Sequence, residues 1–271
     1  MKGGGYVMAI EVMRRYENKY LVNGTTYERL QDGVAQFADL DEYNKRKEFY
    51  TIANIYYDTD DNHLIRTSIS KPKYKEKLRL RGYGVPTELD RVYLEIKKKY
   101  EGIVNKRRTA LELPKAYEFV STGSIEAKEY MNKQVLNEIA YFIRLYSPSP
   151  KLYLAYERRA YCGEGGLRIT FDTNIRTRRH DLKLENGDYG EKLIDDNLWL
   201  MEIKTCGVIP LWLSKLLSEH AVYPISFSKY GIEYGKSLSQ EGAANKCLIQ
   251  YSTPQARLQT SHGSGLLPQL A

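Results

Sequence analysis

Cations stand at every second residue of KYKEKLRLRGY, positions 73–83: Lys75, Lys77, Arg79 and Arg81, with Leu78 and Leu80 between them. In a β-strand successive side chains point to opposite faces, so the four form one row and the leucines line the other face. Such a row repels itself unless a polyanion or a set of carboxylates lies opposite. The pattern recurs. Tyr93, Glu95, Lys97 and Lys99 oppose Val92, Leu94 and Ile96; Lys106, Arg108 and Glu112 oppose Arg107, Thr109, Leu111 and Leu113. Arg168, Thr170 and Asp172 oppose Ile169 and Phe171, and Glu202 and Lys204 oppose Trp199, Met201 and Ile203.

For any one strand alone, a sheet with one face on a core and one in water explains the alternation. A solvent face, however, usually mixes both signs of charge with Ser, Thr, Asn and Gln. Here the polar positions are mostly Lys and Arg with about one glutamate per strand. Closing the sheet with the charged face inside gives a barrel lumen lined by cations and a few carboxylates, its apolar outer face covered by helices. Uncompensated buried charge is costly, so a cavity rich in Lys and Arg implies a ligand of high negative charge, and forked guanidinium groups match phosphate oxygens. The interspersed glutamates suit a divalent cation bridging phosphates, Mg²⁺ or Mn²⁺. Phosphoryl transfer in such a site requires positioning and charge stabilisation and no protein nucleophile.

The elements that must position these residues follow from hydrophobic period. Strand patterns occupy about 14–22, 52–58, 74–83, 91–99, 103–113, 152–161, 167–173 and 198–205, without βαβ spacing, which predicts an antiparallel sheet or barrel of the α+β class. Helical patterns occupy about 26–41, 115–146 in two pieces, and 210–220, where Pro210 can begin a helix and Leu213, Leu216 and Leu217 form a stripe. SPSP at 147–150 separates the helical insertion from the next strand. From about 240 the composition turns to Gln, Ser, Ala and Gly, so the sequence predicts one folded domain over 1–239 and a disordered tail over 240–271.

Composition sets bounds. The 271 residues, 42% hydrophobic, suffice for a substantial core. A formal net charge of +7 points to anionic partners only if the basicity is local. Three separated cysteines without a CxxC encode neither a disulfide framework nor a zinc knuckle and favour a reducing, cytoplasmic setting. No apolar run reaches the length of a membrane span. The four histidines form no HxH or HxxxH pair, which argues against a histidine-held metal or a histidine-based triad. GEGGLR at 163–168 lacks the ending of a phosphate loop and predicts a hairpin turn. RTRRHD at 176–181 reads as a solvated basic turn, with contact to an exiting anionic chain as the alternative. A nucleic-acid binder is the main non-enzymatic alternative, but glutamates among the cations and apolar residues opposite them suit a metal–phosphate cavity better than a stacking groove.

The ordered series RYENKY (15–20), YYDT (56–59), KLRLRGY (77–83), YLEIKKK (93–99), KRR (106–108), YERRAY (156–161), LRITFD (167–172), MEIKT (201–205) and SFSKYGIEY (226–234) resembles the VTC domain. This is the catalytic domain of vacuolar transporter chaperone polyphosphate polymerases, within the triphosphate tunnel metalloenzymes that include the CYTH proteins. The resemblance runs from about 14 to 235. It implies an antiparallel eight-stranded β-barrel tunnel with helices outside, and transfer of the γ-phosphate of ATP onto a polyphosphate chain with Mn²⁺ or Mg²⁺. An inorganic triphosphatase on the same fold and a non-catalytic polyphosphate or nucleic-acid binding module are the alternatives.

Carried over by position, the phosphate-binding set is Lys19, Arg79, Arg81, Lys97, Tyr156, Arg158, Arg168, Lys204 and Lys229, with Arg79, Arg81, Lys97, Arg158 and Arg168 as the catalytic members. Glu202 is the implied metal carboxylate, and Glu17 and Glu95 are second choices as metal ligands or ion-pair partners. Of the ExExK opening of the CYTH branch only Glu17 and Lys19 stand, with Arg15 at the first position, which fits the VTC branch. The inward direction of Arg158 rests on this resemblance, since Leu152, Leu154 and Tyr156 share its parity. ATP and inorganic polyphosphate are the expected partners and nucleic acid is not. No membrane span or SPX domain is read in the chain, and the resemblance leaves room for a membrane-protein partner.

Overall fold

The computed structural model describes residues 16–101 and 103–252, the last twelve as secondary structure only. In chain order the elements are β1 (Tyr16–Asn23), α1 (Gly24–Ala35), β2 (Asp39–Leu40), β3 (Tyr50–Asp58), α2 (His63–Ile69), β4 (Tyr74–Tyr83), β5 (Arg91–Tyr100) and β6 (Ile103–Glu112). They continue with α3 (Leu113–Thr122), α4 (Lys133–Tyr146), β7 (Ser149–Cys162), β8 (Arg168–Arg178), β9 (Glu191–Lys192), β10 (Leu198–Thr205), α5 (Leu211–Glu219) and α6 (Lys229–Ser252). Two compact units divide the chain, Met1–Glu233 and Tyr234–Ala271. The expected tail lies in the second, where α6 runs to Ser252 and residues 253–271 lie outside the described residues, as does Arg15.

Eight long strands form one antiparallel sheet in the order β1-β10-β8-β7-β3-β4-β5-β6, with the two-residue strands β2 and β9 attached to β7 and β8. All eight expected strands are present. The sheet wraps around a cavity but its edge strands β1 and β6 share no ladder, so closure by hydrogen bonding is absent among the described residues. The free edge of β1 is instead met by the segment before α6, where Ile225 N donates to Lys19 O at 2.7 Å.

Period-two alternation divides the faces as expected. On the outer face, Leu78, Leu80, Val92, Leu94, Ile96 and Leu111 pack under α3 and α4 through Phe119, Ile139 and Phe142, all almost wholly buried. Over β1, β8 and β10, helices α1 and α5 contribute Leu30, Val34, Leu213 and Leu217 to a second cluster with Ile169, Phe171, Met201 and Ile203. Burying side chains of this size stabilises by roughly 1.5–3 kcal/mol each, which commits the apolar face to the helices and leaves the charged face inside. Local capping fixes the helix starts. Asn23 accepts from Thr26 N at 2.9 Å at the head of α1, and Asn132 accepts from Val135 N at 3.1 Å at the head of α4.

Three differences from the sequence reading have physical causes. Helix α1 ends at Ala35 and not at 41, because Asp39–Leu40 leave the helix to pair with β7. Helix α2 is short and is seeded by Asp58, whose carboxylate accepts from Leu64 N (2.8 Å) and Ile65 N (2.9 Å). Strand β8 continues to Arg178 through an irregularity: between the pairs Ala155–Arg176 and Glu157–Thr173, one residue of β7, Tyr156, opposes two of β8, Asn174 and Ile175, and Asn174 takes a left-handed φ of 47°. The extra residue flips the alternation. Arg176 and Arg178 therefore lie opposite Ala155 and Tyr153 on the outer face, although they share sequence parity with Arg168 and Asp172.

RTRRHD is accordingly neither a solvated turn nor a contact for an exiting chain. Arg178 lies 3.5 Å over the Tyr153 ring and donates to the carbonyls of Asp181, Lys183, Gly187 and Tyr189; Arg176 pairs with Asp188, and Arg179 with Glu233. The GEGGLR segment is the turn that joins the antiparallel strands β7 and β8, as predicted.

Candidate functional site

The inner face of the sheet encloses a cavity of about 930 Å³ lined from all eight long strands, the first turn of α4 and the start of α6. Twelve Lys and Arg residues line it against three glutamates, so the lining carries a large positive excess. Every residue of the expected set is on this wall: Lys19, Arg79, Arg81, Lys97, Tyr156, Arg158, Arg168, Lys204 and Lys229, with Glu17, Glu95 and Glu202. Arg158 points inward, as the resemblance implied.

Two carboxylate centres hold most of the cations in place. In the first, Asp172 is fully buried and takes both Nε and Nη2 of Arg158 (2.6 and 2.8 Å) and Nζ of Lys229 (2.6 Å). Glu202 beside it faces Lys204 (3.1 Å), Lys19 (3.4 Å) and Lys229 (3.4 Å). Burial opposes ionisation of both acids, yet the surrounding cations outweigh it and hold both below the usual carboxylate range. Lys229 reaches this centre because the first turn of α6 is anchored: Tyr230 donates to Asp58 at 3.2 Å, and the Lys229 ammonium lies 4.4 Å over the Tyr156 ring.

In the second centre, Glu95 is 1% exposed and contacts Arg79 (2.7 Å), Lys106 (2.7 Å) and Arg81 (3.8 Å). Arg79 also donates to Tyr56 (3.1 Å), while Asn54 orients Arg81 by accepting from its Nε at 3.0 Å and anchors itself by donating to Leu154 O. At one mouth Arg168 is fixed by Asp41 at 2.8 Å.

Lys77, Lys97 and Lys106 stand directly opposite one another across β4, β5 and β6, an arrangement that destabilises a sheet and that Glu95 offsets at Lys106. Burial, with neighbouring cations, lowers Lys77 to about 8 despite the attraction of Tyr56, and Lys106 to about 7 despite Glu95. Tyr56, whose burial opposes ionisation, is nonetheless brought down to about 8 by Arg79 and Lys77.

A polyanion entering the lumen raises the affinity of these lysines for protons. Between about pH 7 and 9, where Lys77 and Lys106 of the free protein are losing their protons, binding of a phosphate chain therefore takes up protons, and affinity falls as pH rises through that window. Titration calorimetry of tripolyphosphate in buffers of different ionisation heat measures the uptake; a heat independent of buffer removes the assignment of these two lysines to the ligand.

The carboxylates differ in their surroundings. Glu17, Glu95 and Glu202 all line the lumen; Glu202 and Glu17 lie close enough to repel each other, while Glu95 stands apart among Arg79, Arg81 and Lys106. Among the described residues no three His, Cys, Asp or Glu side chains cluster as a ligand cage. One or two carboxylates are the donor set Mg²⁺ or Mn²⁺ uses when phosphates and water complete its shell.

Sequence reasoning did not single out Lys77, Tyr83, Lys106, Arg108 or Asp172 as site residues, although their parity with Arg79, Lys97 and Arg168 was the available signal. Asn54, Tyr56, Tyr43 and Tyr50 carried no such signal.

A family model for the VTC domain matches residues 14–237. No curated protein sequence matches the chain. Similar solved structures include a putative adenylate cyclase from Bacillus halodurans (16% identity, 80% of this chain and 96% of that one, TM-score 0.47). A putative adenylyl cyclase from Hippeastrum, described as having a dominant triphosphatase activity, aligns at 16% identity over 81% of this chain and 95% of that one, with a TM-score of 0.49. The PH1819 protein from Pyrococcus horikoshii aligns at 15% over 82% and 99%, with a TM-score of 0.41.

Proposed function

Because the chain belongs to the VTC domain family, we propose that its lumen is a polyphosphate polymerase site that moves the γ-phosphoryl group of ATP onto a polyphosphate end. The observation that carries this reading is the Lys77–Lys97–Lys106 row, three cations side by side with Glu95 on Lys106 as their close carboxylate, within a cavity where buried acids hold most of the other cations. A fold keeps such a row only if a ligand of high negative charge relieves it.

In this reading Arg79, Arg81, Arg158 and Arg168 fork onto phosphate oxygens while Lys19, Lys97, Lys204 and Lys229 supply point charges along the chain. A terminal phosphate oxygen of the acceptor attacks the γ-phosphorus in line; the bond to the β–γ bridging oxygen breaks and ADP departs. No side chain is needed as nucleophile, and the preset cations stabilise charge as it spreads over the transferring group. Glu202, with Glu17, is the donor set for Mn²⁺ or Mg²⁺, which supplies further charge neutralisation when bound.

Incubation of the purified protein with ATP and Mn²⁺, with and without a short polyphosphate primer, tests the reading through gel and ³¹P NMR analysis of products. Long chains with stoichiometric ADP are expected. Orthophosphate as the sole phosphate product makes water the acceptor and the protein a triphosphatase, and binding without turnover makes it a polyphosphate-binding module.

A further inference from the structure

We propose that Tyr43 and Tyr83 form a stacking platform for the base of a nucleoside triphosphate at one mouth of the cavity, a specificity element that rests on the triphosphate reading above. Both rings line the cavity, and they lie parallel (5° between planes) with centroids 5.5 Å apart. Tyr93 meets Tyr83 edge-on at 5.8 Å, and Tyr50 leans on Tyr43 at 5.3 Å. Tyr43 nevertheless remains 55% exposed, so much of this large ring is bare at the opening of a polyanion site.

The loop that carries Tyr43 is held rigidly. Buried Asn44 donates to the carbonyls of Glu48 (2.9 Å), Lys47 and Arg158 (both 3.3 Å) and accepts from Ala160 N (2.8 Å). Asp41 accepts from Asn44 N, the Tyr50 hydroxyl and Arg168. An exposed aromatic ring on a pinned loop needs no ordering when a ligand stacks on it, which is the condition under which stacking contributes its full effect.

The spacing suits a nucleotide. Tyr83 follows Arg81 by two residues on the same face of β4, about 7 Å along the strand, a gap a ribose bridges between a base and its first phosphate. The polar side chains of the loop, Asp41 and Asn44, are engaged in holding it, and what the platform offers a base is its ring face. The platform therefore takes any base by its π-face, with purines ahead of pyrimidines because they cover more ring.

Equilibrium affinities for β,γ-imido ATP and for bare imidotriphosphate, which prevent turnover at the β–γ link, test this in the full chain. Tyr43→Ala is expected to weaken the nucleotide about 5- to 150-fold, the effect of losing one base stack, and to leave the bare triphosphate unchanged. Tyr43→Phe, which keeps the ring, retains nucleotide affinity. Equal weakening of both ligands, or of neither, overturns the platform and makes Tyr43 a packing residue. Failure of the unaltered protein to bind either ligand overturns the triphosphate reading itself, so the two failures are distinct.

Discussion

Alanine at Arg81 is expected to lower kcat/KM for phosphoryl transfer by about 10²–10³-fold or more with only a modest fall in the thermal midpoint. The magnitude is that of removing one preset donor from a charge-stabilising site. The small stability cost follows from what Arg81 touches. Its Nε donates to the buried Asn54 Oδ1, which loses that donor while Asn54 Nδ2 stays bonded to Leu154 O, and its Nη2 meets the Tyr156 hydroxyl at 3.3 Å, which opens onto the lumen. No carboxylate is orphaned, since Glu95 keeps Arg79 and Lys106 at 2.7 Å. Removing one of many like charges relieves repulsion, the usual relation between a functional site and stability. Arg81→Lys should recover little, because an ammonium cannot fork. Steady-state kinetics with differential scanning decide it. Retained turnover in the alanine variant withdraws Arg81 from the phosphate cradle, and a collapsed midpoint assigns it to the core.

The opposite signature is expected at Asp172. Replacing it with Ala leaves Arg158 and Lys229 buried without their shared counter-ion and should destabilise the protein by about 3–5 kcal/mol. Urea unfolding monitored at constant m-value measures this directly. Asp172 also carries a pH signature. Its carboxyl is held below the ordinary Asp value in the fold, so the stability it contributes is present above about pH 4 and is lost as pH falls through the lower folded value. Asp172→Asn should therefore flatten the acid arm of the stability curve as well as lower its plateau. An unchanged midpoint at neutral pH would show that Glu202 alone suffices to hold the two cations.

These two residues stand three strands apart in sheet order and illustrate how the inner wall is built. Acids that carry no reactive role in the proposed chemistry fix the cations, and the cations meet the ligand. Glu202 is the member that serves both purposes, since it contacts three lysines and is also the carboxylate offered to a metal.

Much of this wall was legible in the chain itself. Alternation at period two is a local property: once Lys77, Arg79 and Arg81 are on one face of a strand, Leu78 and Leu80 must be on the other, and helices with apolar stripes must cover them. That determined the eight strands, the cationic inner face and, with the ordered motifs, the family. The tertiary structure decided what depends on register between distant segments. Only strand pairing sets Lys77, Lys97 and Lys106 side by side, and only the extra residue at Asn174 turns Arg176 and Arg178 outward although their parity said inward. Alternation likewise says nothing about whether the last strand meets the first, and among the described residues β1 and β6 share no ladder. Tyr43 reaches Tyr83 through a loop that a buried asparagine pins to β7, a contact that no periodicity encodes. A chain can state which way each side chain points relative to its neighbours, but which charges meet is fixed only when strands far apart in sequence choose their partners.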